Sequence, residues 1–282
     1  MRSPRFRPLA SATVSTPAAL SFDPALLSAL GEARLVAALT GAGISTASRI
    51  PTFRDPDGLW ARFDPRELAT PSAFARDPKR VWNWYARRRE RVAAAQPNAG
   101  HFALAQLERR VPAFAPITQN VDGLHQRAGS RNVIELHGNI MRVKCSREGR
   151  TIERWEEIAP EVPRCPACGA LLRPDVVWFE ELLPESVLGA AEDAAERCDV
   201  MLVVGTSAEA YPAAALPPSA KAAGAAVVEI NPRPTPLSGE ADFILAGPAG
   251  RGALGAGGAD ALARASASFR AVRAPSATAL RV

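Results

Sequence analysis

The run Leu35-Val36-Ala37-Ala38-Leu39-Thr40-Gly41-Ala42-Gly43-Ile44-Ser45 decides how this chain folds. Its first five residues are apolar on both faces, as in a strand buried in a parallel sheet with helices above and below. Gly41-Ala42-Gly43 follows directly. Glycines there let the backbone turn tightly and approach a phosphate, with N–H groups facing it. Comparable apolar runs occur at 113–117, 133–136, 200–204, 226–230 and 243–245. Residues 79–95, 100–110 and 184–197 read as helices between them. Strand alternating with helix predicts an α/β fold: a Rossmann-like parallel sheet with helices on both faces.

Two segments break the alternation. Residues 46–98 are helical in pattern and rich in Trp, Phe and Arg, whereas residues 139–178 carry a Cys cluster and little core. Both are expected to be insertions, one helical and one a small zinc-ribbon-like module. The main domain is expected to span 23–250, after a tail of residues 1–22 and before a segment 251–282 with one helix near 260–269.

Composition narrows the class. With 282 residues, 47% apolar and 22% charged, the chain suits one substantial core. It lacks a run of about 18 apolar residues, so no membrane span is expected. The net charge of +5 comes nearly all from Arg. No RNA-binding signature or basic zipper accompanies it, so nucleic acid is not an expected partner. Four scattered Cys make no disulfide framework and suit a reducing compartment. Arg2, Arg5 and Arg7 precede the first acid, Asp23. That stretch reads as the tail of a cytoplasmic protein, with a mitochondrial presequence as the alternative. The chain is expected to be a monomer.

The chemistry-bearing residues lie at strand ends. Gly41-Ala42-Gly43 has no third glycine, since Thr46 stands there, and no second strand ending in an acid follows. An ordinary dehydrogenase is therefore disfavoured. Ile117-Thr118-Gln119-Asn120-Val121-Asp122-Gly123-Leu124-His125 pairs an Asn with an Asp, which can offer acceptor and donor to a carboxamide. Glu135-Leu136-His137-Gly138 carries an imidazole able to exchange a proton at physiological pH. Gly205-Thr206-Ser207 and Asn231 follow two further strands, where α/β folds gather ligands. Cys165-Pro166-Ala167-Cys168 is half a zinc ribbon. Cys145 adds a third thiol, and Glu148 stands where a fourth would be.

In this order the motifs resemble the sirtuins, NAD-dependent protein lysine deacylases, over roughly residues 32–250. The resemblance implies NAD as cofactor and acylated proteins or peptides as partners. It implies a cofactor site of Gly41, Ala42, Gly43, Ser45, Phe53, Arg54, Trp60, Gln119, Asn120, Val121, Asp122, Gly205, Thr206, Ser207, Asn231 and Ala249. Phe53 and Arg54 belong to a cofactor-binding loop, Pro51-Thr52-Phe53-Arg54. Asn120 and His137 would be catalytic, with His137 removing a ribose hydroxyl proton once the acyl oxygen has displaced nicotinamide. Free lysine and O-acyl-ADP-ribose would result. Cys145, Cys165 and Cys168 would hold structural zinc. Val177-Trp178-Phe179, with Val176, would pair with substrate backbone by strand addition.

Tyr85 and Arg88 share one helix face by their i, i+3 spacing. With Ala69 they resemble the sirtuin subgroup that removes succinyl and malonyl groups, in which a phenol and a guanidinium hold the distal carboxylate. Arg49 and Glu180 replace family glycines. The alternatives are an NAD-dependent mono-ADP-ribosyltransferase on the same fold, a weakly active NAD or ADP-ribose binder, and a zinc-ribbon nucleic-acid binder.

Overall fold

The computed structural model describes residues 22–53, 58–152, 155 and 161–249. The strands among them are β1 (Leu35–Thr40), β2 (Ala113–Thr118), β3 (Ile134–Glu135), β4 (Gly138–Cys145), β5 (Thr151–Ile152), β6 (Leu172–Val176), β7 (Val200–Val204), β8 (Ala226–Asn231) and β9 (Phe243–Ala246). Six of them form a parallel sheet in the order β3-β2-β1-β7-β8-β9; the other three form a sheet in the order β5-β4-β6. The order reverses between β1 and β7, so the loops leaving their carboxyl ends diverge and open a crevice.

The central strands are apolar on both faces because both are covered. Helices α1 (Pro24–Glu32) and α6 (Ala99–Glu108) set Leu26, Leu30, Leu104 and Leu107 against Val36, Ala38, Leu202 and Val228. On the other face α8 (Glu185–Arg197) and α9 (Leu216–Ala222) set Ala191, Ala195 and Leu216 against Ala37, Leu39, Met201 and Val203. Each buried Leu contributes on the order of 2 kcal/mol. Helix α1 was not expected from the sequence, and Phe22, assigned to the tail, is packed into this core.

After β1 come short helices α2 (Leu59–Arg62), α3 (Pro65–Leu68) and α4 (Pro71–Arg76), then the long α5 (Pro78–Ala94). Helix α5 starts where the Asp77 carboxylate accepts from the Arg80 amide and Pro78 takes the first turn. Val81, Trp82, Tyr85, Arg89 and Val92 form its buried stripe. Ala69, Phe74 and Tyr85 pack against Ile140, Val176 and Trp178, joining the helical segment to the small sheet.

The Cys-bearing segment has more core than its sequence suggests. Val143, Cys145, Ile152, Cys165 and Leu172 are buried together beside Trp82 of α5. The largest buried side chain of that core, Trp82, is lent by α5 and is invisible in the segment itself. The helix expected near residues 260–269 lies outside the described residues.

Arg49 (φ 62°) and Glu180 (φ 71°) both adopt the left-handed backbone that a glycine would take at no cost. Each side chain pays on the order of 1 kcal/mol for it. Glu180→Gly is expected to raise stability by up to about 1 kcal/mol. A denaturation midpoint that stays put or falls would show that Glu180 makes a compensating contact.

Candidate active site at the carboxyl edge of the sheet

The turns after β1 and β7 are pressed together. Gly41 N–H donates to Val204 O at 3.0 Å, and Gly43 N–H to Gly205 O at 2.8 Å. A Cβ on Gly43 would lie 2.7 Å from Gly205 O, and Gly205 itself sits at φ +60°. These glycines therefore serve a backbone-to-backbone approach as well as any phosphate. Ala42 begins the short 3-10 turn that carries Ser45.

A buried polar network lies beneath this cradle. Ser45 Oγ donates to Asp122 Oδ2 at 2.7 Å. The Asn120 amide donates to Gly41 O at 3.0 Å and to Ser45 Oγ at 3.3 Å. Asn120 thus spends its N–H groups on the cradle. Asp122 Oδ1 accepts from the Leu124 amide at 3.0 Å, which starts the short helix α7 (Leu124–Arg127). Val121 O accepts from Ile140 N at 2.8 Å, tying the loop to the small sheet.

Four members of the network were not identified as site residues from the sequence. Thr40 and Thr118 are register partners at the ends of β1 and β2, and their hydroxyls meet at 2.8 Å. His125 Nε2 lies 2.9 Å from Thr40 Oγ1, and His101 Nε2 lies 3.4 Å from Ser45 Oγ. Burial holds both imidazoles down to about 4, so they are neutral at pH 7. The available signal was a Thr closing two apolar runs at matching positions.

On the β7 side, Gln119 Nε2 donates to Thr206 Oγ1 at 2.9 Å and Asn231 Nδ2 to Thr206 O at 2.9 Å. Gln119, Thr206 and Asn231 therefore form one wall, with Ser207 next in the chain. Ala249 is buried in the core, its carbonyl against Gly100 at the start of α6. Phe53 is half-buried, with the Arg88 guanidinium 5.0 Å from its ring centroid. Arg54 and the side chain of Trp60 lie outside the described residues.

His137 stands between the sheets, after β3 and before β4. Its Nδ1 is 2.8 Å from Gln119 O. A carbonyl oxygen only accepts, so Nδ1 carries the hydrogen and Nε2 the lone pair. The backbone thus selects the tautomer in which Nε2 is the base. Gly138 follows at φ +77°, turning the chain into β4.

A cluster of aromatic and basic groups surrounds Tyr85 and Arg88. Arg88 Cζ lies 4.7 Å from the Trp84 ring centroid and 5.7 Å from that of Tyr85. Trp178 Nε1 donates to Tyr85 Oη at 2.9 Å. Ala69 is buried beside both rings. Burial raises the Tyr85 phenol above its ordinary value and lowers the Arg88 guanidinium below its own.

The expected strand Val176–Phe179 stops at Val176. Val177 N–H is spent on His137 O, Trp178 N–H on the Glu181 carboxylate and Phe179 N–H on Ala69 O. The Val177 bond prolongs the β4–β6 pairing by one residue, and the Trp178 and Phe179 bonds then turn the chain off the sheet toward Glu181 and Ala69.

The thiols of Cys145, Cys165 and Cys168 all lie within 4.8 Å of one another. Tetrahedral zinc holds its sulfurs about 3.8 Å apart, so the three thiols fit one ion. Amides of Ala167 and Cys168 pull the Cys165 thiol down to about 7, toward the thiolate that a metal needs, while the neighbouring Cys145 and Cys165 thiols help hold the Cys168 thiol up at about 11. Glu148 is not in the converging group; its carboxylate reaches Cys168 and lies 3.6 Å from Arg150.

A glycine cradle at a strand-order switch, a buried amide and carboxylate beneath it, and a tautomer-fixed imidazole beside them make up one site at the carboxyl edge of the sheet. Residues 41–212 match the Sir2 family, and the chain belongs to that family. A relative from Aeropyrum pernix, an NAD-dependent protein deacylase, is 55% identical over 216 residues, covering 77% of this chain and 88% of the relative. NAD-dependent protein deacylase 1 of Archaeoglobus fulgidus is 53% identical over 231 residues, covering 81% and 94%. A solved Sir2 homolog–NAD complex superposes with a TM-score of 0.78 at 48% identity, covering 89% of this chain and 95% of that one. A mutant Sir2 homologue bound to ADP-ribose gives a TM-score of 0.82 at 48% identity, covering 90% and 100%. No helix among the described residues is long and apolar enough to cross a membrane.

Proposed function

We propose that this NAD-dependent protein deacylase acts preferentially on lysines carrying succinyl or malonyl groups, and more weakly on acetyl-lysine. The observation that carries the reading is the Tyr85–Arg88 pair, side by side in an aromatic pocket lined by Ala69. A desolvated guanidinium next to a neutral phenol suits a short chain ending in a carboxylate. The small Ala69 leaves room for that chain.

The turn residues fit NAD. Gly41, Ala42, Gly43, Ser45, Gly205, Thr206 and Ser207 would hold its phosphates, with Gln119 and Asn231 toward its sugars. Asn120 and Asp122 would meet the nicotinamide carboxamide, with Phe53 over it and Val121 beside it. Bound there, NAD supplies the ADP-ribosyl group that accepts the acyl chain, with nicotinamide as leaving group. His137 Nε2 is the base that takes the sugar hydroxyl proton; Gln119 O holds the ring in that role through Nδ1. Asn120 and Asp122 are buried, which shields this part of the site from bulk water.

Cys145, Cys165 and Cys168 would hold a structural zinc. Purified protein should then contain one zinc per chain. Cys165→Ser should lose it along with thermal stability; metal-free wild type of unchanged Tm would dismiss the ion.

The function is tested by mass spectrometry of one peptide bearing acetyl-, malonyl- or succinyl-lysine, incubated with the protein and NAD. Unmodified peptide and O-acyl-ADP-ribose are expected, forming fastest from the two acidic acyl groups. ADP-ribose attached to protein, with no O-acyl product, would favour transferase activity instead.

A further inference from the structure

Trp178 is the unusual member of the acyl pocket. Its indole is buried and held on both sides. The Arg173 guanidinium carbon lies 3.4 Å from its ring centroid, and the Phe74 ring 5.4 Å away. Arg173 is itself fixed by two bonds to the Glu181 carboxylate, at 2.5 and 2.9 Å, and one to Val176 O at 2.9 Å. The Trp178 amide completes the loop by donating to Glu181 Oε2 at 2.8 Å. Both ends of this residue are therefore fixed in place.

The one polar atom of that indole points at Tyr85. An indole N–H can only donate, so in the 2.9 Å contact the phenol oxygen must be the acceptor. A phenol carries one hydrogen. With the indole donating to one side of the oxygen, that hydrogen is turned to the other side. Arg88, 5.7 Å from the ring, is donor-only and cannot receive it. Burial also keeps the phenol protonated.

We infer that Trp178 is a specificity-determining positioning residue: by donating to the Tyr85 oxygen it turns the phenol hydrogen toward the acyl pocket, where it selects an anionic acyl terminus. The inference rests on the acyl preference proposed above and adds a polarity to it. Tyr85 becomes a committed donor, so Tyr85 and Arg88 both present hydrogens to the same carboxylate. An acetyl group offers no acceptor at that depth and gains nothing from the arrangement.

The test measures kcat/KM for succinyl and acetyl versions of one peptide and follows their ratio. Trp178→Phe keeps the ring and removes the N–H. It should lower the succinyl-to-acetyl ratio about three- to tenfold, whatever it does to either rate alone. Tyr85→Phe should lower the ratio about tenfold. The double variant should match Tyr85→Phe alone, because the indole acts only through the phenol oxygen. A ratio unchanged in Trp178→Phe, or losses that multiply in the double variant, would overturn the inference. If Trp178→Phe folds poorly, the Tyr85→Phe background decides: Trp178→Phe there must not move the ratio further. A wild-type protein without preference for succinyl over acetyl would sink the underlying reading. A preferring wild type with an indifferent Trp178→Phe would sink only this inference.

Discussion

His137→Ala is expected to lower kcat/KM for deacylation about a hundredfold or more, on every acyl peptide alike. The argument rests on the tautomer. Gln119 O fixes the hydrogen on Nδ1, so Nε2 is basic without any change in ring orientation. His137 is half-buried and its Nδ1 contact is to backbone, so the substitution takes away the proposed base without opening the buried core. Thermal stability should therefore stay close to wild type while activity collapses. His101 and His125 provide the contrast. Both are buried and held at about 4, bound into the network under the cradle. Their loss should cost stability first. Quantified peptide product and Tm, measured on the three single alanine variants, separate the roles. A His137→Ala protein retaining more than about a tenth of wild-type kcat/KM would place the base elsewhere.

Gly41, Gln119 and Gly205 were readable in the sequence for one reason: each is a polar or glycine residue closing an apolar run. β7 is read directly as Val200–Val204 because both of its faces are covered, leaving nothing but apolar residues. The turns after β1, β2 and β7 follow from that. The small sheet was not readable. β4 alternates Asn139, Arg142 and Lys144 with apolar residues, and its pairing register shifts between Asn139 and Val143, which breaks the period of two. The sheet's own buried residues, Val143, Cys145, Ile152 and Leu172, close around Trp82 of α5, which lies far upstream in the sequence. The segment after Val176 misled for a different reason. Val177, Trp178 and Phe179 look like strand, but their amides are claimed by His137, Glu181 and Ala69. Tertiary hydrogen bonds outweighed β-propensity there. The Arg173–Glu181 pair was equally hidden. Two opposite charges eight residues apart look like ordinary surface residues until the chain folds Arg173 beneath the Trp178 ring.

Arg88→Met is expected to cut the ratio of desuccinylase to deacetylase kcat/KM about thirtyfold or more, the loss of a charged hydrogen-bonding partner worth about 2 kcal/mol. The surroundings of Arg88 make this a clean test. Its guanidinium is held by the faces of Phe53, Trp84 and Tyr85, with centroids 5.0, 4.7 and 5.7 Å away. A thioether of similar length can occupy that aromatic box, so packing is preserved while the charge goes. Desolvation already weighs against the charged form of Arg88, and an acyl carboxylate entering the pocket relieves it. The carboxylate therefore gains more here than it would at an exposed arginine, and acetyl-lysine does not share the gain. Arg88→Lys should fall between the two: it keeps the charge but replaces a planar fork by a single point donor. Equal losses on succinyl and acetyl peptides in Arg88→Met would mean that Arg88 shapes the cofactor loop through Phe53 and does not read the acyl group.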